Sequence, residues 1–403
     1  MLKPKAPKPK AAEKAAAPKV RSNLLRLKPV GQQVIVITGA TSGVGLATAR
    51  AAAARGAKLV LTARNEAGLE AVRADLAAKG ASVAYAVADV ADRAALQAVA
   101  DLAVERFGGF DTWVNGAGVS IFGAISKTPM EDQRRLFETN YWGLVNGSLI
   151  AVEQFKTRAG GGALINVGSV LGDVAIPPQG VLSASKHAVK GFTNALRMEL
   201  IGQRAPVSVT LIKPWALDTP YKDHARNLTG MAVRNPPPVY GASLAAQAIL
   251  HAAEHRTREL TVGGGGQALA IVNAIAPYLA EPLLAWAAPA LSRDGSGRRQ
   301  AMVDNLYQPG QEPRERSFQR AVRETSLYTS AQMRPKTTLT LAVLAGLAAS
   351  AAFRLGASNW GASKGRREPD QSDPSPHSLI KAPPVQALAA RLGLNGLGIR
   401  AAP

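Results

Sequence analysis

The run Val34-Ile35-Val36-Ile37, followed by Thr38-Gly39-Ala40-Thr41-Ser42-Gly43-Val44-Gly45, constrains this chain more than any other stretch. Four β-branched residues bounded by glycine predict a strand buried on both faces. Leu46 to Arg55 is Ala-rich and predicts a helix. The glycines therefore stand in a strand-to-helix turn. Without a Cβ, Gly39, Gly43 and Gly45 let a diphosphate approach the backbone, where the free N–H groups and dipole of a helix start favour an anion. The same pattern also makes a tight turn that binds nothing, so the rest of the chain has to decide.

It decides by alternation. Residues 57–62, 82–87 and 112–115 predict strands, and residues 66–79 and 91–107 predict helices between them. Further strands are expected at 162–168, 207–213 and 258–262, with helices at 183–203 and 243–254. Residues 130–158 are long enough for one helix or a broken pair. Strand and helix in turn with short links predict an α/β fold: a doubly wound parallel sheet, Rossmann-like, that binds a dinucleotide at the carboxyl ends of its strands. Residues 214–238 are Pro-rich and polar and read as a lid or binding segment. Gly263 to Gly266 reads as flexible punctuation, since no strong helix start follows. Residues 268–291 contain Pro277, Pro282 and Pro289 and read as broken helices covering the domain.

The formal charge of +20 on 403 residues is placed unevenly. Residues 1–30 hold nine Lys or Arg against Glu13 alone, and residues 293–403 hold sixteen against eight acidic residues. The centre is close to balanced, which argues against a nucleic-acid-binding face. Residues 1–30 are mostly Lys, Pro and Ala and read as a disordered basic tail without a secretory signal. Residues 31–292 then form a single dinucleotide-binding domain, and residues 293–403 a C-terminal helical extension. Within it, residues 337–353 carry no charge, the lower limit for a spanning helix; a helix on the domain or on a membrane surface is the alternative. The absence of cysteine excludes disulfide and thiolate chemistry and fits a reducing compartment. The expected location is cytoplasmic, with membrane association through the extension as the variant reading.

Between residues 31 and 265 the chain resembles the short-chain dehydrogenase/reductase family. The family's TGxxxGxG turn matches Thr38, Gly39, Gly43 and Gly45, and Asn115-Gly116-Ala117-Gly118 resembles its Asn-Asn-Ala-Gly stretch with the second Asn changed. Asn140 matches its helix Asn, Ser169 its catalytic Ser, Lys186 its Lys, and Pro214-Trp215-Ala216-Leu217-Asp218-Thr219 its Pro-Gly-x-x-x-Thr segment. The resemblance implies carbonyl/alcohol oxidoreduction on a small molecule, with Asn140, Ser169 and Lys186 catalytic. It implies a nicotinamide cofactor held by Thr38, Gly39, Ser42, Gly43, Val44, Gly45, Arg64, Asp89, Asn115, Lys186 and Thr219. It also implies a homo-oligomer.

One match fails. The family's Tyr-x-x-x-Lys motif requires Tyr four residues before Lys186, and that residue is Leu182. In the family that Tyr exchanges the proton that accompanies hydride transfer, its pKa lowered by the Lys and by the cofactor ring. Leucine carries no proton, so turnover is expected to be impaired, with Ser169 or a water held by Lys186 as weak substitutes. The rival reading is a catalytically silent, cofactor-binding sensor or scaffold. The cofactor preference follows from Thr62-Ala63-Arg64-Asn65 at the end of the second strand: no carboxylate repels a 2′-phosphate, and Arg64 can pair with one, which favours NADP(H) over NAD(H). Arg64 as a solvated loop residue and Asp89 as a helix cap are the alternatives. His251-Ala252-Ala253-Glu254-His255 matches a zinc-protease string, but it lies in a helix the fold already explains, so no metal is expected.

Overall fold

The computed structural model describes residues 24–292, 304–310, 313–319 and 321–335, with 337–340, 343 and 350. Seven parallel strands form the central sheet: β1 (Val34–Thr38), β2 (Lys58–Ala63), β3 (Val83–Val87), β4 (Thr112–Asn115), β5 (Gly162–Val167), β6 (Val207–Pro214) and β7 (Glu259–Val262). Their spatial order is β7-β6-β5-β4-β1-β2-β3. The chain therefore winds outward in both directions from the β1–β4 pair, where Ile35 stands beside Thr112 and Ile37 beside Val114. That is the doubly wound topology expected, and its crevice opens at the carboxyl ends of β1 and β4.

All of β1 is buried, and its alternating side chains enter two cores. Ile35 and Ile37 pack with α1 (Gly43–Ala54), α2 (Glu66–Ala78) and α7 (Ala242–Glu254). Val34 and Val36 pack on the other face with α3 (Arg93–Phe107), α5 (Gly143–Thr157) and α6 (Gly180–Gly202). The helix starts follow local chemistry. Asn65 caps α2 through the Gly68 N–H at 3.0 Å, and Asp92 caps α3 through Ala94 and Ala95. Residues 130–157 run on without a break, α4 (Met130–Phe137) joining α5 through a π-helical turn, Glu138–Trp142, that carries Asn140.

Three expectations change. Gly263 to Gly266 is not a flexible spacer: α8 (Gly264–Ile275) begins there, and a Cβ on Gly266 would meet the Trp215 ring at 2.7 Å. The glycine run lets a helix start press against an indole. Next, α8 and α9 (Pro277–Leu291) break at Ala276 as expected, yet they cover the domain with only one side. Ala270, Ala280 and Ala288 are buried, whereas Ile275, Tyr278 and Trp286 are each more than three-quarters exposed.

Third, the domain does not end at residue 292. The short strand Val322–Arg323 pairs with Val239–Gly241, and α10 (Leu327–Met333) docks on the β7 edge. Residues up to Leu339 belong to one compact unit. Most of the 337–353 stretch and all of residues 1–23 lie outside the described residues. Among the described residues no helix is long and apolar enough to cross a membrane.

Helix α10 holds β7 through four hydrogen bonds. Thr329 Oγ1 accepts from the Gly263 N–H at 3.0 Å and donates to the Thr261 carbonyl at 3.1 Å. Gln332 accepts from the Thr261 N–H at 3.0 Å and donates to its carbonyl at 2.9 Å. At about 1 kcal/mol each, a chain ending at residue 320 is expected to lose roughly 2–4 kcal/mol against one ending at residue 340. Thermal melts of the two truncations check this; equal midpoints would show that α10 adds nothing to the fold.

Candidate active site

The glycine turn works by contact. Gly39 has φ +70°, and a Cβ there would lie 2.8 Å from the Ala117 Cα. A Cβ on Gly45 would lie 2.2 Å from the Gly39 carbonyl oxygen. The Thr38 hydroxyl accepts from the N–H groups of Gly116 (3.0 Å) and Ala117 (3.1 Å). The ends of β1 and β4 and the first turn of α1 are thus fastened together. Beside them opens a cavity of about 240 Å³ whose walls include Ser42, Val44, Ser169, Lys186 and Thr219. A second cavity of about 90 Å³ lies past Gly39 toward the ends of β2 and β3, between Arg64 and Asp89.

Ser169 follows β5. Its hydroxyl accepts from the Leu171 N–H at 3.0 Å and donates weakly to the Pro214 carbonyl at 3.3 Å. Lys186 projects from α6 and donates to the Val167 carbonyl at 3.0 Å. Burial pushes its pKa down to about 8, and no carboxylate offsets that. Because α6 starts at Gly180, earlier than expected, Leu182 sits in its first turn. It is 3% exposed and packs with Val170, Leu171, Val174, Ile176, Ala270 and Ala288 while lining the larger cavity.

Two expected asparagines stand back from the cavity. Asn115 is buried and saturated: it accepts from Trp113 Nε1 at 2.8 Å and donates to Asn166 at 2.9 Å, Ser148 at 3.1 Å and the Leu144 carbonyl at 3.3 Å. Its side chain ties β4 to β5 and α5. Asn140 clamps the backbone of Val119, accepting from its N–H at 2.8 Å and donating to its carbonyl at 3.0 Å. It also donates to Ser185 at 3.3 Å, so it supports the loop after β4.

At the smaller cavity, Asp89 accepts from the Ala91 N–H and pairs with Arg135. Burial works to raise its carboxyl, but the Ala91 N–H and the Arg135 guanidinium outweigh that and hold it below the usual range. Arg64 does not extend into solvent. Its guanidinium donates to the carbonyls of residues 305–308 in the C-terminal extension. His251 and His255 stack on each other at 4.3 Å, and Glu254 is taken by Arg55 and the Val30 N–H. Among the described residues no three His, Asp or Glu side chains gather as metal ligands.

The sequence reading missed Tyr221, Gln179 and Ser120. The Tyr221 hydroxyl, which burial pushes well above the usual phenol range, is held by Ser120 Oγ at 2.6 Å and Gln179 Nε2 at 2.8 Å on the cavity wall. It also missed His224, which lines both cavities and whose pKa is pushed down by burial and by Arg314. For Tyr221 and His224 the only signal was a lid segment without periodicity, which names no side chain; Ser120 and Gln179 lie outside it and carry no motif.

Residues 33–228 match the short chain dehydrogenase family model. The uncharacterized oxidoreductase YxnA of Bacillus subtilis is 41% identical over 335 residues, covering 82% of this chain and 93% of its own. The chain belongs to the short-chain dehydrogenase/reductase family. A match of that length takes in residues 304–319 wherever it begins. A short-chain dehydrogenase/reductase from Burkholderia phymatum, solved with NAD, superposes with TM-score 0.55 at 27% identity, covering 64% of this chain and 96% of that one. A short-chain dehydrogenase from Sphingobium yanoikuyae, solved with NADPH, gives TM-score 0.50 at 27% identity, over 57% and 87%. The fold and an oxidoreductase of this type with a nicotinamide cofactor follow.

The residues present fit a dinucleotide. Gly39, Gly43 and Gly45 line the larger cavity with backbone and no side chain, Ser42 and Val44 of the α1 start stand beside them, and Lys186 brings a cation to the same cavity. That cation is pH-dependent. The folded pKa of about 8 lies below the ordinary 10.5, so the ammonium form is present below pH 8 and is lost above it. Dinucleotide affinity is expected to fall as pH rises through about 8, and Lys186→Met to flatten that dependence. Fluorescence titrations from pH 6.5 to 9.5 check both, and a parent profile without slope would contradict the assignment.

Proposed function

We propose that this protein is an NADP(H)-dependent oxidoreductase acting on a small carbonyl or alcohol, with proton transfer slowed by Leu182. The observation that carries this reading is the convergence of the glycine turn, Ser169 and Lys186 on one cavity. The dinucleotide would supply or accept the hydride. The chain's own part is to orient the substrate oxygen and to bring it a proton. Ser169 has a long bond to the Pro214 carbonyl to give up, so its hydroxyl is available to a substrate oxygen. Leu182 offers only methyl groups. A water held by the Lys186 ammonium at the cavity wall is the replacement route.

The preference for NADP(H) is supported by the end of β2, where Arg64 stands and no carboxylate does. Three of its contacts to the extension are long, at 3.3, 3.4 and 3.5 Å, and can be exchanged for charge-assisted bonds to a 2′-phosphate. NADPH is expected to bind more tightly than NADH, and Arg64→Ala to remove roughly tenfold or more of that difference. Equal affinities in the parent would refute the preference.

The silent-sensor reading has one observation in its favour: Leu182 packs into an apolar cluster at the cavity wall. Leu182→Tyr separates the two. In a working enzyme the restored phenol beside Lys186 is expected to raise turnover on a carbonyl panel by about 10²–10⁴, the usual worth of a positioned general acid. In a sensor the variant binds cofactor and gains nothing.

A further inference from the structure

Residues 304–310 and 313–319 run across the carboxyl ends of the strands that the cofactor reading makes functional. At the β2 end, Arg64 is wrapped by the carbonyls of Asn305, Leu306, Tyr307 and Gln308. Arg135 donates to the Leu306 carbonyl at 3.1 Å, and Asn65 Nδ2 to the Gly310 carbonyl at 2.6 Å. The Leu306 side chain is fully buried among Val119, Ile121, Leu136 and Val181. Further along, Arg314 forms a parallel bridge with Ser42, and its carbonyl accepts from the Gly43 N–H at 3.0 Å.

The second stretch is anchored by acids of the lid. Arg314 reaches Asp223 at 3.1 Å. Asp218, fully buried, receives Arg316 Nε at 2.9 Å, the Ser317 hydroxyl at 2.9 Å and the Gln319 N–H at 3.0 Å. Glu315 pairs with Arg50 on α1 at 2.9 Å. These contacts lie over the cavities and do not fill them. Asn305 lines both cavities, Pro309 and Gly310 wall the smaller one, and Val44 and Gly45 of the first α1 turn still face the larger one beneath.

We propose that residues 304–310 and 313–319 are part of the dinucleotide site: a strap that roofs the bound cofactor, so that cofactor enters and leaves only when the strap lifts. This rests on the cofactor reading above. A roof fastened by Asn65 and Arg135 at the adenosine end and by Asp218 beside Thr219 at the other spans the length of a dinucleotide groove. It excludes water from the phosphates, where low dielectric strengthens each contact.

The absence of cysteine gives a clean test. Bridged strand residues stand about 4.8 Å apart, within disulfide range, so Ser42→Cys with Arg314→Cys can lock the strap reversibly. Loaded with NADPH or NADH and then oxidised, the double variant is expected to release cofactor at least tenfold more slowly than when reduced. Oxidised empty, it is expected to take cofactor up at least tenfold more slowly. Arg316→Ala, which leaves Ser42 in place, is expected to speed release about tenfold. Exchange at equal rates in both redox states overturns the strap, as does a disulfide that forms only when cofactor is absent, which would make the segment a competitor. No binding of either dinucleotide by the reduced protein overturns the strap and the cofactor reading together.

Discussion

One threonine hydroxyl fixes the functional end of this molecule. Thr38 Oγ1 accepts two N–H groups from the loop after β4, and so pulls that loop against the turn after β1. The two strands are neighbours, but the chain leaves them in opposite directions, so their loops would otherwise splay apart. Drawing them together is tolerable only because Gly39 has no side chain, since a Cβ would sit 2.8 Å from Ala117. Gly45 closes the third side against the Gly39 carbonyl. The crevice, the start of α1 and the wall carrying Ser169 and Lys186 are all placed relative to that knot.

Behind it lies a buried polar layer whose members satisfy one another. Asn115 gives its protons to Asn166, Ser148 and the Leu144 carbonyl, and Asn166 donates in turn to Thr193 on α6 at 3.0 Å. A network of this kind stabilises only when complete, because each unpaired member would carry its full desolvation cost. It joins β4, β5, α5 and α6 in one register and thereby sets where α6 delivers Lys186. Asn140 does the same for Val119, next to Ser120 and so to the Tyr221 hydroxyl. Asn115, expected at the cofactor, and Asn140, expected in catalysis, instead brace segments that line the cavity.

The parts legible in the sequence are those written in periodicity and in glycine. The β1 run, the strand–helix alternation, and Ser169 and Lys186 at their family spacing all landed on one cavity. Residues 304–310 and 313–319 were not legible, because they have no period, are rich in Pro, Gln and Arg, and take their partners from far away in the chain. Arg64 meets carbonyls 241–244 residues on, and Asp218 meets side chains about a hundred residues on. Gly263 to Gly266 misled for a related reason: its meaning depends on Tyr240, Tyr328, Pro238 and Trp215, distant in the chain, which crowd a helix start without side chains. The charge ledger misled too. Arg314 and Arg316 were counted as tail surplus, but they neutralise Asp223 and Asp218 of the lid, so the balanced domain was balanced only with part of its tail left out.

The substitution at residue 182 reaches beyond the missing proton. A phenol beside Lys186 would share charge with it, whereas Leu182 adds only apolar surface to an ammonium whose one described bond is to the Val167 carbonyl. Burial pushes its pKa down to about 8. The charge of an anionic dinucleotide, when bound, would oppose that. Cofactor binding and protonation of Lys186 are therefore linked: the anion raises the lysine pKa, and the protonated lysine holds the anion. A roof of strap residues over the phosphates strengthens that linkage by removing water from between the charges.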